Sequence, residues 1–189
     1  VADYERCAML RFRNPDAATG HHDDLGDVET EIDLAAWADR VPVGWDASPL
    51  AGASVPGWNV GARRTDGLRD TVTDAIALAR LTLNQAPVHR DPVLGPDGRR
   101  LVYGGHTIGL AQASLTRMFP DTATVLGWQA CDHLAPVFEK DVLGFHHTLL
   151  DEQPTAGGRL RAIRVEVDAQ GGDDPPRPVL DWRVVTWGA

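Results

Sequence analysis

The chain has 189 residues, 43% hydrophobic and 24% charged, which suits a well-buried globular domain with or without an extension. A net charge of -9 and a pI near 5.1 exclude nucleic acid and anionic membranes as main partners. No apolar run approaches the ~20 residues that cross a bilayer, and no basic-then-apolar leader opens the sequence. The two cysteines, Cys7 and Cys131, have neither disulfide-framework nor metal-ligand spacing, so we expect a cytoplasmic protein with no metal and no cofactor.

Residues 1–57 read as a loop-rich extension. A polar, acidic stretch from Asn14 to Glu31 contains His21-His22-Asp23-Asp24, read as a solvated loop. A short helix is expected at Asp33–Arg40 with Asp33 as its N-cap, followed by a segment punctuated by Pro42, Gly44, Pro49, Gly52, Pro56 and Gly57. Trp37, Trp45 and Leu50 imply that this extension lies across the main domain. Regular patterning begins at Trp58. A first strand is expected over Trp58–Arg64 and a helix over Thr73–Leu83, with Ile76, Leu78, Ala79 and Leu81 on its apolar side. Pro87 stops that helix, because the residue before a proline is pushed out of the α region. A second helix, His106–Met118, carries small and apolar residues on all sides and is expected to be buried. Strands follow at Thr122–Cys131, Asp141–Glu152, Arg159–Gln170 and Val179–Thr186, with turn clusters at Pro154–Gly158 and Gly171–Pro178. A helix followed by antiparallel strands indicates α+β, a pattern that several α+β folds share.

The chemistry concentrates in Asn84-Gln-Ala-Pro-Val-His89-Arg-Asp91 and Tyr103-Gly-Gly-His-Thr-Ile-Gly109. Pro87 fixes a backbone torsion and delivers His89 from a constrained loop, and a histidine exchanges protons near neutral pH. A loop histidine bonded to backbone is the plainer alternative. Asp132-His133, at a strand end, is an acid–base pair by type but is read as structural. His146-His147 lies in a strand, so its rings face opposite sides and cannot form a same-face metal pair.

These segments resemble the MaoC-like (R)-specific enoyl-CoA hydratases, which are hot-dog-fold proteins. Pro87, His89 and Asp91 match the family's pattern, but Asn84 stands where the family carries a catalytic Asp. Gly104-Gly105-His106 opening the helix and the Pro136–Asp141 junction are also similar, and the likeness runs from Trp58 to the C-terminus. The resemblance implies a long central helix wrapped by a curved antiparallel sheet over residues 58–189, with residues 1–57 an extension or the remnant of a first repeat. It implies hydration of a 2-enoyl-CoA, with His89 as the base and Asn84 holding the water, since a carboxamide cannot accept its proton. Gly104, Gly105 and His106 then bind the thioester carbonyl, and Arg99 and Arg100 meet the CoA phosphates. The Gly-Gly-His-Thr run is similar to that of members acting on short, branched or dicarboxylic acyl-CoAs. A homodimer, or a heterodimer with another hot-dog subunit, is implied. A silent acyl-CoA-binding subunit, a thioesterase using Asp91 or Asp132, and a purely structural domain stay open beside it.

Overall fold

The computed structural model describes residues 30–189; Cys7 and His21-His22-Asp23-Asp24 lie outside the described residues. In chain order the elements are the helical turn α1 (Ala35–Ala38), short strands β1 (Arg63–Thr65) and β2 (Asp70–Thr71), and helices α2 (Ala75–Leu81) and α3 (Gly104–Met118). Four long strands follow: β3 (Thr122–His133), β4 (Val142–Thr155), β5 (Gly158–Gln170) and β6 (Arg177–Gly188). They form one antiparallel sheet in the order β1-β4-β5-β6-β3, with β2 also on β4. No helix among the described residues is long and apolar enough to cross a membrane.

The sheet is apolar on both faces, and strand alternation divides them. On one face Ile163, Val165 and Val167 of β5 meet Leu180, Trp182 and Val184 of β6, and Ala111, Leu115 and Phe119 of α3 and its C-cap pack on them. On the other face Leu160, Ala162, Val185 and Trp187 meet Leu34, Trp37 and Ala47. Each fully buried large apolar side chain contributes ~1.5–3 kcal/mol, so both layers hold the sheet. The outer layer needs a glycine. A methyl at Gly127 would lie 2.6 Å from the Trp37 ring.

Three of the four long strands span or exceed their expected ranges, and β4 starts one residue late, at Val142, and runs past Glu152; three earlier elements are shorter than expected. The strand expected over Trp58–Arg64 is reduced to β1, because Gly57 and Gly61 adopt φ of +87° and +85° and turn the chain. Trp58 instead stacks on Phe119 with ring centroids 4.4 Å apart and donates to the Met118 carbonyl at 3.1 Å. Helix α2 is shorter than Thr73–Leu83, since Asp74 and Leu83 have φ of +50° and +56°. Leu81 points to solvent rather than into the apolar side. Helix α3 is buried along one face only; Gly109, Ala113 and Thr116 are exposed. The helix of the extension is a single turn, although Asp33 does accept the Ala35 N–H at 3.0 Å.

A polar knot sits between α3 and the sheet. Ser114 Oγ donates to Asp66 Oδ2 at 2.7 Å, and Arg117 Nε donates to the same oxygen at 2.9 Å. Desolvation works to raise Asp66, but the bonds from Leu68, Ser114 and Arg117 hold it below the usual carboxylate range. His147 is fully buried beside Ser114, and its Nδ1 has no partner among the described residues. Burial pushes His147 down to about 4; Asp66 pulls it up, while His146 and Arg117 push it down. His146 points the other way, Nε2 meeting Asp168 at 2.9 Å and Nδ1 meeting Thr65 Oγ1 at 2.9 Å.

This knot makes the fold acid-sensitive. Between its unfolded value of about 6.5 and its folded value, His147 binds a proton only when the chain unfolds, so its stabilisation is complete above that window and fades as pH falls through it. Asp66 adds a loss below the unfolded carboxylate value, about 3.9. The denaturation midpoint should fall steadily from pH 7 to pH 4, with about 3 kcal/mol lost through His147. The His147 Cε1–H resonance should not titrate above pH 5; a flat midpoint, or titration near pH 6.5, contradicts this.

Candidate active site

The loop after α2 is held by its own polar groups. Asn84 Oδ1 accepts the Ala86 N–H at 2.9 Å, the local turn that Asn side chains favour. The Asn84 carbonyl accepts from Arg90 Nε and Nη2 at 3.1 and 2.7 Å. Ala86 is extended, as a residue before proline must be, and Pro87–His89 forms one 3-10 turn. Arg100 then ties the loop to the segment between β3 and β4: Nη1 donates to the Arg90 carbonyl and Nε meets Glu139 Oε2 at 3.0 Å.

His89 Nδ1 lies 2.8 Å from the Leu101 carbonyl. A carbonyl only accepts, so Nδ1 carries the hydrogen, and Nε2 of the neutral ring is left as a lone-pair base. The His89 ring meets the Tyr103 ring edge to face, with centroids 5.9 Å apart.

Tyr103 is the N-cap of α3, in extended conformation and without a capping bond from its side chain. Its carbonyl accepts the His106 N–H at 2.8 Å, whereas the Gly104 and Gly105 N–H groups have no acceptor among the described residues. These amides are the free positive end of a 15-residue helix. Two rings close over them. A methyl at Gly105 would sit 2.6 Å from Tyr103 Cε1 and 2.9 Å from its hydroxyl. A methyl at Gly104 would sit 2.7 Å from His133 Nε2. His106 Nδ1 is buried with no partner among the described residues. Burial holds His106 below the usual imidazole range against the pull of Asp74. Desolvation lowers His133 likewise, with Asp132 pulling the other way, although part of its ring stays exposed.

His89 and the start of α3 are therefore brought together, both touching Tyr103. His133 joins them from the end of β3, although its sequence context reads as structural; Tyr103 carries no signal beyond preceding the glycine pair. Arg99 and Arg100 lie nearby with their guanidiniums already engaged. Arg99 Nη2 meets Asp141 at 3.1 Å and lies over Phe138, and Arg100 meets Glu139. Asp91 caps the next turn through Val93 N–H at 3.0 Å. Burial, with Asp132 and Asp181, pushes the Cys131 thiol up to about 12, so it is no nucleophile at neutral pH.

No family model matches the chain. The Mycobacterium tuberculosis protein RV0216, described as having a double hotdog fold, superposes with a TM-score of 0.67 at 42% identity over 77% of this chain and 45% of its own. The chain is a hot-dog-fold protein. A protein from Chloroflexus aurantiacus, described as a MaoC domain dehydratase, superposes with a TM-score of 0.74 at 18% identity over 95% of this chain and 57% of its own, a likeness of fold. In sequence, a mesaconyl-CoA hydratase of Cereibacter sphaeroides is 32% identical over 111 residues, 58% of this chain. The chain spans 32% of the length of that hydratase.

The two hydrogen bonds that Arg90 donates to the Asn84 carbonyl set the loop's rigidity. Arg90→Ala should speed amide hydrogen exchange at His89, at position 90 itself and at Asp91, with local stability lower by ~1–3 kcal/mol and the thermal midpoint nearly unchanged. Unaltered exchange at these amides contradicts this role.

Proposed function

We propose that this chain acts on an acyl thioester and reversibly hydrates a 2-enoyl-CoA to the 3-hydroxyacyl-CoA. The observation that carries the reading is the meeting around Tyr103 of His89 and the Gly104 and Gly105 amides, with His89 Nε2 and both amides unbonded among the described residues. The hydratase relative supports the substrate class. In this reading the thioester oxygen, on which negative charge grows as water adds, lies at the amino end of α3 and is stabilised by Gly104 and Gly105 N–H. The attacking water gives its proton to His89 Nε2 while its oxygen bonds to Cβ and the Cα–Cβ π electrons move onto the thioester oxygen; the enolate then re-forms the carbonyl as Cα takes that proton back from His89, which restores the neutral imidazole. Asn84, whose Oδ1 already accepts the Ala86 N–H, orients the water and does not deprotonate it. Arg99 and Arg100 meet CoA phosphates only by sharing guanidiniums with Asp141 and Glu139.

Residues 58–189 form the catalytic unit and residues 1–57 an extension. The chain pairs with a second hot-dog unit, a copy of itself or another subunit, a reading that RV0216's double fold supports. Trp37 and Trp45 lie on the sheet's outer side and do not fill the front of α3, which weighs against a purely structural domain.

One observation favours a second reading, a silent acyl-CoA-binding subunit: position 84 carries a carboxamide, which is no base, and its Oδ1 is engaged in the local turn with Ala86. A panel of 2-enoyl-CoAs, mesaconyl-CoA among them, decides between these. Loss of conjugated-thioester absorbance without thiol release is expected; thiol release indicates a thioesterase, and binding with neither change indicates the silent subunit. Asn84→Asp keeps the turn bond with one oxygen and offers a second as base, so turnover should rise tenfold or more, toward the ~10²–10⁴ that an acid–base partner supplies. An unchanged or lower rate would mean that position 84 does not face the water.

A further inference from the structure

We propose that the Tyr103 hydroxyl is a catalytic hydrogen-bond donor to the thioester oxygen, acting with the Gly104 and Gly105 amides. The inference rests on the acyl-thioester reading above and adds a residue to its site.

Three observations place it there. First, Tyr103 occupies the N-cap of α3, where Ser, Thr, Asp or Asn would bond the helix's first amides, yet its side chain caps nothing. The hydroxyl has no partner among the described residues. Second, the ring crosses the Gly105 α-carbon so closely that only glycine admits it, with the hydroxyl 2.9 Å from where a methyl would stand. The phenol therefore reaches the same small space as the unbonded amides. Third, the same ring lies edge to face with His89, which fixes its direction relative to the base. A phenol is a stronger acid than an amide, so it answers growing oxyanion charge more strongly than either N–H. Such help bears on this chain in particular, because Asn84 cannot share proton transfer with His89. The proton stays on the tyrosine: bond order shifts in the thioester, and the hydroxyl donates only a hydrogen bond.

Tyr103→Phe tests this. It keeps the ring against His89 and Gly105 and removes one oxygen that has no partner among the described residues, so the thermal midpoint should hold. Turnover of the best 2-enoyl-CoA should fall ~10²–10³-fold in kcat with little change in KM. A para-dimethylaminocinnamoyl-CoA, whose absorbance moves to longer wavelength as its carbonyl is polarised, should shift red on binding the natural chain and less on binding the variant. Equal kcat and an equal red shift in both proteins overturn the assignment while leaving the hydratase reading intact. No turnover by either protein, with a red shift that shrinks in the variant, keeps the donor and removes the hydratase reading. Neither turnover nor binding of the cinnamoyl ester removes both.

Discussion

The close approach of two aromatic rings to the first turn of α3 is the constraint on which the rest depends. Tyr103 lies against Gly105 and His133 against Gly104, each nearer than any side-chain carbon at those glycines would permit. Because neither residue has a Cβ, the rings can stand at the free amides of the helix and not beside them. The helix end thereby carries a phenol and an imidazole beside its first two amides. The orphaned Nδ1 of His106 belongs to the same crowded turn.

The rest of the molecule holds that turn still. Helix α3 is anchored on the sheet by Leu115 and Ala111 and by the buried Ser114–Asp66–Arg117 knot. The loop carrying His89 is fastened through Arg90 to Asn84 and through Arg100 to Glu139, which joins it to the segment between β3 and β4. On the opposite face Trp37 and Trp187 seal the sheet, so the strand that brings His133 to the helix is packed on both sides. A site built on a rigid helix and strand holds its geometry better than one built on loops alone.

Much of the fold was legible in the sequence. The Arg161–Val167 run of β5 alternates over part of its length, and β5 and β6 bury residues on both faces of the sheet. Positive-φ residues were not legible: Asp74 and Leu83 trim α2, and the turns at Gly57 and Gly61 dissolve most of the strand expected from Trp58. Of the candidate site, local chemistry singled out His89 and the glycine pair, because a proline and a helix start are local features, while their roles came from the family resemblance. Tyr103 and His133 could not, since their meaning comes from contacts across the fold. Asn84 was readable as the loss of a carboxylate, but not as a side chain whose oxygen is already bound to Ala86.

The central claim is that His89 and the free amides of α3 serve one substrate position. Its most direct test is nitrogen–proton NMR of the chain titrated with butyryl-CoA, a saturated thioester that cannot be hydrated. The account predicts that the Gly104 and Gly105 amides and His89 Nε2 move together and yield one dissociation constant. Amides that stay put while His89 moves, or shifts confined to the sheet's outer face, would contradict it.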